Sequence, residues 1–255
     1  MARFRFVRRL GAFLRFAASP TTWANLPWYV RDWRRLRAQY RREGVAPPPA
    51  VAMPCLGDRT ATTPLEPTYF FQDAWAARKI FTRRPRAHFD VGSSAKTIGI
   101  LSQFVPVTMI DIRPIDLVLE GLRFLEGSIL SIPAPDDSLG SVSSLCVVEH
   151  VGLGRYGDPV DIHGSRDAAR ELRRVLAPGG DLYVSVPVDD ACRVYFNAHR
   201  AFTRDAVLEL FAGLELADEA YHYGRAMHGS YDPAKGFGTG FYHFTKPDAG
   251  TGVAS

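Results

Sequence analysis

The residues best suited to acid–base chemistry lie in one polar, glycine-rich segment, residues 149–163, which follows a run of apolar residues. His150 is the first candidate for a general base, because an imidazole titrates near neutral pH and can take a proton from an alcohol or an amine. The adjacent Glu149 could orient His150 or bind an acceptor amine. Alternatively, His150 only orients the loop backbone. Candidate substrate-binding residues in this segment are Tyr156, Asp158 and His163. No metal site is predicted, because the Asp-x-His pattern at its end lacks a third fixed ligand.

A second polar group, Asn197, His199 and Arg200, follows the fifth predicted strand. These side chains could bind substrate hydroxyls or an acidic group. The alternative is that they satisfy backbone groups in a connection between two elements. His88 and His243 lie inside predicted strands, and we predict that both are structural.

Two residues at predicted strand ends indicate a nucleoside-containing cofactor. Gly92 directly follows a strand, where it allows close backbone approach to a ligand in front of a helix N-terminus. Asp111 ends the next strand and can accept hydrogen bonds from both ribose hydroxyls. Ser94 and Lys96 replace the further glycines that the pyrophosphate of a nicotinamide dinucleotide needs. S-adenosylmethionine, which contains adenosine but no phosphate, tolerates that loss better.

The chain from about residue 69 alternates predicted helices with predicted strands. The strands cover residues 88–91, 107–110, 128–130, 142–148 and 182–186, followed by 214–223 and 237–245 as an antiparallel edge pair. The helices cover residues 69–82, 94–104, 115–125, 166–176 and 203–211. This alternation predicts an α/β fold with a doubly wound, mostly parallel seven-stranded sheet. Ligands in such folds bind beyond the carboxyl ends of the strands, which is where Gly92, Asp111 and His150 fall.

Several motifs resemble class I S-adenosylmethionine-dependent methyltransferases. They are Asp90-Val91-Gly92, Asp111, and the stretch Glu171–Gly180 with its Pro-Gly-Gly turn. The chain is more closely similar to the methyltransferase-like family DUF268, in the segments Tyr69–Asp73, Glu149–Asp158 and Phe196–Arg200. The resemblance covers about residues 50–245. It implies a Rossmann-like methyltransferase fold, S-adenosylmethionine as cofactor, and methyl transfer to an oxygen or nitrogen of a small molecule or glycan.

The resemblance also implies roles for individual cofactor-binding residues. The residues expected at the methionine part are Asp90, Gly92, Ser93 and Ser94. Asp111 is expected at the ribose, and Ile112, Ser128 and Ile129 are expected around adenine. Leu145 and Cys146 are expected at the sulfonium. Ser128 stands where the family often has an acidic residue that receives the adenine amino group, so a weaker contact is expected there.

The N-terminal part of the chain is strongly basic. Residues 1–50 contain eleven arginines, no lysine and two acidic residues, whereas the whole chain has a net charge of +4. Residues 4–18 fit a basic amphipathic helix, which could lie on an anionic membrane surface or dock on the body of the protein. A second basic segment at about 27–42 carries aromatic residues at helical spacing, but no nucleic-acid-binding motif accompanies it, so no nucleic-acid partner is predicted.

The sequence predicts four regions: a basic helical arm (1–44), a proline-rich linker (45–68), the methyltransferase-like domain (69–246) and a flexible tail (247–255). Three scattered cysteines and the lack of an eighteen-residue apolar run favour a cytoplasmic protein, with the arm as a peripheral contact to the inner face of a membrane. Two alternatives to a methyltransferase remain: a non-catalytic binding or scaffold protein of the same fold, and, ranked last, a nicotinamide-dependent oxidoreductase.

Overall fold

A computed structural model describes residues 24–49 and 53–248. The predicted helix at 4–18 and the last seven residues of the predicted tail lie outside these ranges. The described chain forms two compact units, which divide between Leu65 and Glu66. Within the described residues, no helix has both the length and the apolar character needed to cross a membrane.

The described part of the first unit contains the helix α1 (Leu26–Arg42), which confirms the helix predicted at about 27–42. Pro27 lies in its first turn, where a missing backbone N–H costs nothing. Near its start, the Asn25 side chain donates to the Leu56 carbonyl at 2.9 Å, and the Arg59 guanidinium lies 5.3 Å from the Trp28 ring centre. No residue of α1 is buried within this unit.

The second unit is built on an eight-stranded sheet with the order β3-β2-β1-β4-β5-β10-β8-β9. Its parallel strands are β1 (His88–Val91), β2 (Val107–Asp111), β3 (Leu122–Glu126), β4 (Leu139–Leu145) and β5 (Leu176–Val188). Antiparallel pairing adds β8 (Glu215–Tyr223), β9 (Ala226–His228) and β10 (Gly238–Thr245). A separate ribbon pairs β6 (Arg193–Tyr195) with β7 (His199–Ala201). The predicted doubly wound, mostly parallel sheet is therefore confirmed.

Four α-helices accompany the sheet: α2 (Pro67–Arg83), α3 (Ala95–Leu101), α4 (Gly164–Val175) and α5 (Arg204–Leu210). Two of them have a side-chain cap. The Glu66 carboxylate accepts from two backbone N–H groups at the start of α2, and the Thr203 hydroxyl accepts from the Ala206 N–H at the start of α5. One cluster of buried side chains joins α4 to the sheet, and a second joins α2 and α3 to it.

The predictions around the third strand were wrong. Residues 115–125 were predicted as a helix and 128–130 as a strand, but the strand is Leu122–Glu126 and Ser128 makes only an isolated bridge to Ser131. β3 is an edge strand that is at most half buried, so it lacks the apolar run that marks a central strand. Just before it, Gly121 has φ +79°, and a Cβ atom at this position would clash with the Ser102 carbonyl oxygen.

The sheet also differs from the prediction in strand number and in where the fourth strand ends. The short strand β9 makes eight strands instead of seven, and it takes the edge position predicted for the β8–β10 pair. β4 ends at Leu145 rather than at Val148, because Cys146 adopts a left-handed conformation with φ +53°. The chain then turns into a 3₁₀-helix, Val148–His150. This turn brings Cys146 and His150 to the carboxyl edge of the sheet.

Candidate functional site

A pocket lies at the carboxyl ends of β1, β2 and β4. Nine residues predicted from the sequence line it: Gly92, Asp111, Ile112, Ser128, Ile129, Cys146, His150, Tyr156 and Asp158. The lining residues that were not predicted are Val91, Ile110, Arg113, Gly127, Leu130, Val147 and Val151. Parallel strand ends thus bring these separate segments together at one site.

The turn after β1 leaves no room for a side chain. Gly92 has φ +76°, and a Cβ atom there would lie 2.9 Å from Cγ1 of Val147. Both observations require glycine at this position. The turn therefore presents backbone alone to the pocket, as a close-fitting ligand needs.

Asp90 lies behind this turn instead of lining the pocket. Its carboxylate is fully buried and accepts hydrogen bonds from the Ser93 N–H (3.0 Å), the Ser93 hydroxyl and the Ser143 hydroxyl (both 2.5 Å). The Ser93 hydroxyl oxygen in turn accepts from the Leu145 N–H at 2.9 Å. Burial raises the pKa of Asp90 to about 6, although these hydrogen bonds oppose the shift. Asp90, Ser93 and Leu145 thus shape the turn from behind, and Ser94 occupies the N-cap position of α3 without a side-chain hydrogen bond.

A buried histidine extends this network into the sheet. His88 Nε2 lies 2.9 Å from the Ser143 hydroxyl, and Nδ1 lies 2.8 Å from the Ser141 hydroxyl. Because Ser143 gives its proton to Asp90, it accepts from Nε2–H, so Nδ1 accepts from Ser141. Burial lowers the pKa of His88 to about 3, which keeps the ring neutral. His88 is therefore structural, as predicted, and so is His243, which pairs with Asp181 at 2.7 Å.

We expect His88 to make the fold acid-sensitive. Between its ordinary pKa of 6.5 and about 3, the unfolded ring binds a proton that the folded ring does not, so stability falls as pH decreases through this window. The slope attributable to His88 approaches about 1.4 kcal/mol per pH unit. In urea unfolding at several pH values, His88→Gln should be less stable at neutral pH and show a shallower decline in acid. Equal slopes for His88→Gln and wild type would contradict this assignment, and the exposed His163→Gln is the matched control.

Asp111 and its apolar neighbours fit a nucleoside. The Asp111 side chain is nearly buried, and its Oδ1 accepts from the Arg113 N–H at 2.8 Å and lies 3.4 Å from Arg113 Nε. Beside the carboxylate, Ile112, Ile129 and Leu130 supply apolar surface for a planar base. A carboxylate next to apolar side chains matches a ribose diol joined to adenine. The Ser128 hydroxyl accepts from the Leu130 N–H at 3.2 Å, so its oxygen is already engaged.

The orientation of His150 is fixed by the β6–β7 ribbon. Nδ1 lies 2.6 Å from the Ala198 carbonyl, which can only accept, so Nδ1 carries the hydrogen and Nε2 keeps a lone pair. Arg155 donates to the same carbonyl at 3.0 Å. Burial lowers the pKa of His150 to about 4, so the ring is neutral at pH 7. His150 therefore presents an unprotonated nitrogen, as a proton acceptor requires.

Glu149 lies next to this nitrogen but is not part of the pocket lining. Its Oε1 is 3.7 Å from His150 Nε2, and its side chain is 1% exposed. Burial raises its pKa to about 8, although the Cys146 thiol and the Arg155 charge oppose the shift. Within the part of the chain that the structure describes, Oε2 is buried without a hydrogen-bond partner. Glu149 is thus mostly protonated at neutral pH and can ionise in mild alkali.

Tyr156 and Asp158 shape the segment over the pocket. The Tyr156 ring contacts two guanidinium groups, Arg113 at 4.8 Å and Arg155 at 5.3 Å. Asp158 accepts from the Gly152 N–H at 2.6 Å and from the Tyr156 N–H at 3.2 Å. Burial opposes ionisation of Asp158, but these backbone hydrogen bonds hold its pKa below the ordinary value. Asp158 therefore stabilises the loop with both of its carboxylate oxygens.

Four predicted substrate residues lie outside the pocket lining. Arg200 donates to the carbonyls of Val151 and Asp161 and to the Ser165 hydroxyl, so it ties the ribbon to the 149–163 segment. The other three are Asn197, in a left-handed turn with φ +63°, His199, packed on Tyr195 and Phe237, and the exposed His163. Across residues 24–49 and 53–248, no three acidic, cysteine or histidine side chains converge.

Helix α2 approaches the same sheet edge, which sequence reasoning missed. The Ser185 hydroxyl on β5 donates to Gln72 Oε1 at 2.6 Å and lies 3.5 Å from Cys146 Sγ. Tyr69 is one helical turn before Gln72 and therefore on the same face of α2. The motif Tyr69–Asp73 marked this segment as part of the family resemblance, but spacing alone gave it no role.

Comparison with known proteins supports the family resemblance over part of the chain. A family model described as "Caenorhabditis protein of unknown function, DUF268" matches residues 135–227. Among curated proteins, none matches the sequence significantly.

Solved structures show the same fold at low sequence identity. The [4+2]-cyclase SpnF is 17% identical with a TM-score of 0.52, covering 68% of this chain and 82% of that one. A putative sarcosine dimethylglycine methyltransferase from Galdieria sulphuraria is 15% identical with a TM-score of 0.53, covering 70% and 86%. The N-methyltransferase NodS from Bradyrhizobium japonicum WM9, in complex with S-adenosylhomocysteine, is 14% identical with a TM-score of 0.51, covering 71% and 89%. The predicted class I methyltransferase fold is therefore confirmed.

Proposed function

We propose that this protein is an S-adenosylmethionine-dependent methyltransferase that acts on an oxygen or nitrogen of a small molecule. The observation that carries the proposal is the convergence of Gly92, Asp111 and His150 on one pocket at the carboxyl edge of the sheet. The similar structures support it, because NodS is an N-methyltransferase in complex with S-adenosylhomocysteine. The fold by itself does not decide the activity.

Different pocket residues would contact different parts of the cofactor. When bound, S-adenosylmethionine supplies an electrophilic methyl carbon on a sulfonium. Gly92, Asp111, Ile112 and Ile129 all line the pocket. The Gly92 turn would accommodate the methionine part, Asp111 would accept from the ribose hydroxyls, and Ile112 and Ile129 would pack on adenine. Cys146, directly after β4 and also in the pocket lining, would lie next to the sulfonium. Holding the methyl carbon in line with the acceptor atom is the main contribution of such an enzyme to the rate.

His150 then takes the proton that leaves the acceptor, and Glu149 stabilises the positive charge that forms on the imidazole ring. Nε2 of His150 takes the proton, since Nδ1–H is held by the Ala198 carbonyl. The resulting imidazolium is stabilised by Glu149 when that carboxyl is ionised, because Oε1 lies 3.7 Å from Nε2. The proposal fails if calorimetric titration of the purified protein with S-adenosylhomocysteine shows no binding at millimolar concentration.

A non-catalytic binding or scaffold protein of the same fold is the second candidate function. It is favoured by the glycine-poor first turn, where Ser94 and Lys96 replace glycines, and by the engaged hydroxyl of Ser128. Such a protein would bind the cofactor but transfer no methyl group to any acceptor in a panel. A nicotinamide-dependent oxidoreductase ranks last. No fluorescence change on titration with reduced nicotinamide cofactor would eliminate it.

A narrower proposal is that the acceptor is a glycan at the inner face of a membrane and that the basic arm brings the cytoplasmic enzyme there. The eleven arginines of residues 1–50 support it, because clustered basic residues bind anionic lipid. We expect the full chain to sediment with vesicles containing phosphatidylglycerol but not with neutral vesicles. A chain lacking residues 1–44 should stay in the supernatant. If both chains sediment equally, residues 1–44 do not bind the protein to the membrane.

A further inference from the structure

A second groove lies between α4, the β6–β7 ribbon and α5. It has a volume of about 480 Å³, which is in the range of small-ligand sites, and it shares no lining residue with the cofactor pocket. Four arginines line it: Arg166 and Arg173 from α4, and Arg193 and Arg200 from the ribbon. Among the described residues of its lining, Glu209 on α5 is the one carboxylate. Guanidinium groups gathered around one cavity indicate a site for an anion.

The two arginines of α4 have donors that the protein leaves unused. Arg166 is exposed, and its guanidinium makes no hydrogen bond or ion pair within residues 24–49 and 53–248. Arg173 donates from Nη1 to the Ala212 carbonyl, but its Nε is buried and has no partner in the described chain. A buried donor without a partner is costly, and an oxyanion held by this guanidinium would satisfy it. Arg166 and Arg173 are seven positions apart, so they lie on one face of α4.

The two arginines of the ribbon differ in the charge that they leave uncompensated. Arg193 forms ion pairs with Asp189, at 2.7 Å, and with Asp190, so its charge is compensated. Arg200 donates to two backbone carbonyls and a hydroxyl, none of which is charged, so it offers positive charge but no free donor. Glu209 pairs with no arginine in the described chain. The groove therefore has an excess of about two positive charges over its own carboxylate.

This excess charge favours a phosphate monoester over other anions. A phosphate monoester carries a charge of about −1.5 to −2 at pH 7, whereas a carboxylate or a sulfate ester carries a single negative charge. Its three free oxygens suit the forked donors of arginine. Phe202, Ala206 and Leu210 line the same groove and supply apolar surface for the organic group attached to the phosphate.

We propose that this groove binds a small organic molecule through a phosphate monoester group, which Arg166 and Arg173 hold. Arg200 adds positive charge without donating a hydrogen bond. The volume of the groove suits a small molecule, and the apolar residues of its lining contact the organic group. Because the groove is separate from the cofactor pocket, this inference goes beyond the proposed function and does not depend on it.

Thermal unfolding of the full chain in the presence of phenyl phosphate tests the proposal. Phenyl sulfate is the matched control, because it has nearly the same shape but one negative charge less. At about pH 8, where the phosphate monoester is a dianion, we expect millimolar phenyl phosphate to raise the Tm by about 2–4 °C more than phenyl sulfate at equal ionic strength. Inorganic phosphate should raise it less, because it has no organic group to contact the apolar lining. Equal shifts with phenyl phosphate and phenyl sulfate would overturn the proposal.

A short phosphoserine peptide provides the same chemical group from a second source. We expect it to bind more weakly than phenyl phosphate, because the groove has the volume of a small-molecule site. Tighter binding of the peptide would overturn the assignment to a small molecule and identify a protein segment as the ligand.

Variants on α4 and α5 assign the shift to the groove. Arg166→Gln removes a guanidinium that has no partner in the described chain, so the fold should persist while the phenyl phosphate shift falls to that of phenyl sulfate. Arg170→Gln is the matched control, because Arg170 is exposed on the same helix and lies outside the lining. Glu209→Gln should increase the shift, because it removes the one carboxylate of the described lining. If Arg166→Gln and Arg170→Gln both respond like wild type, the groove does not bind the phosphate group.

Discussion

Replacing Asp111 by asparagine should weaken S-adenosylhomocysteine binding about 10- to 100-fold, because each hydrogen bond to a charged group contributes about 1.5–3 kcal/mol. The amide oxygen of Asn can still accept from the Arg113 N–H, so the local turn is expected to survive. What disappears is the charge that holds both ribose hydroxyls. Isothermal titration calorimetry of the wild type and of Asp111→Asn measures the difference directly.

The matched control for Asp111 is Glu126 on the neighbouring strand. Glu126 is the register partner of Asp111 on β3, it is exposed, and it does not line the pocket. Glu126→Gln therefore makes the same change from acid to amide next to the site, and its affinity should stay within about twofold of wild type. If Asp111→Asn binds as tightly as Glu126→Gln, the ribose is not held at Asp111, and the proposed orientation of the cofactor is wrong.

The sequence predicts the pocket well because parallel strands bring their carboxyl ends together whatever the rest of the chain does. Gly92, Asp111, Cys146 and His150 come from three strand ends, and one pocket contains all four. The wrong placement of the third strand changes the predicted pocket lining little, because Ser128 lies two residues after the true strand end and still lines the pocket.

Residues whose roles depend on long-range contacts could not be predicted. Arg200 has the chemistry of an anion-binding residue, but its donors are used by the Val151 and Asp161 carbonyls and by Ser165. Asp90 matches a family motif, yet serine side chains and backbone enclose it behind the turn. Arg200 and Asp90 each have partners 35 or more positions away in the sequence, so neither residue type nor spacing reveals these contacts.

The contact of α2 with the site could not be predicted from the sequence either. Its helical pattern predicts the element itself, and the observed helix, Pro67–Arg83, confirms it. Its contact with the site, however, depends on Gln72 meeting Ser185, which lies 113 positions later in the chain. The amphipathic pattern shows which face of α2 is buried but not which strand end lies beneath it.

Replacing His150 by glutamine should lower the rate of methyl transfer about 100-fold or more, which is the usual contribution of a positioned proton acceptor. Glutamine can still donate to the Ala198 carbonyl but offers no basic nitrogen, so the loop is expected to keep its shape. Affinity for S-adenosylhomocysteine should change little. Formation of S-adenosylhomocysteine with the first acceptor that is turned over measures the rate, and His163→Gln, an exposed histidine just before α4, should behave as wild type.

The pH dependence of the rate identifies the group that supports His150. Burial raises the pKa of Glu149 to about 8, so the fraction of ionised carboxylate, and with it the rate, should rise as pH increases and level off above about 8. Glu149→Gln should be slower and lose this rise, because no group next to Nε2 then ionises in that range. A structural role for Glu149 would lower the rate equally at every pH. If His150→Gln instead transfers methyl groups as fast as wild type, the proton leaves the acceptor by another route, and the Glu149–His150 pair serves binding alone.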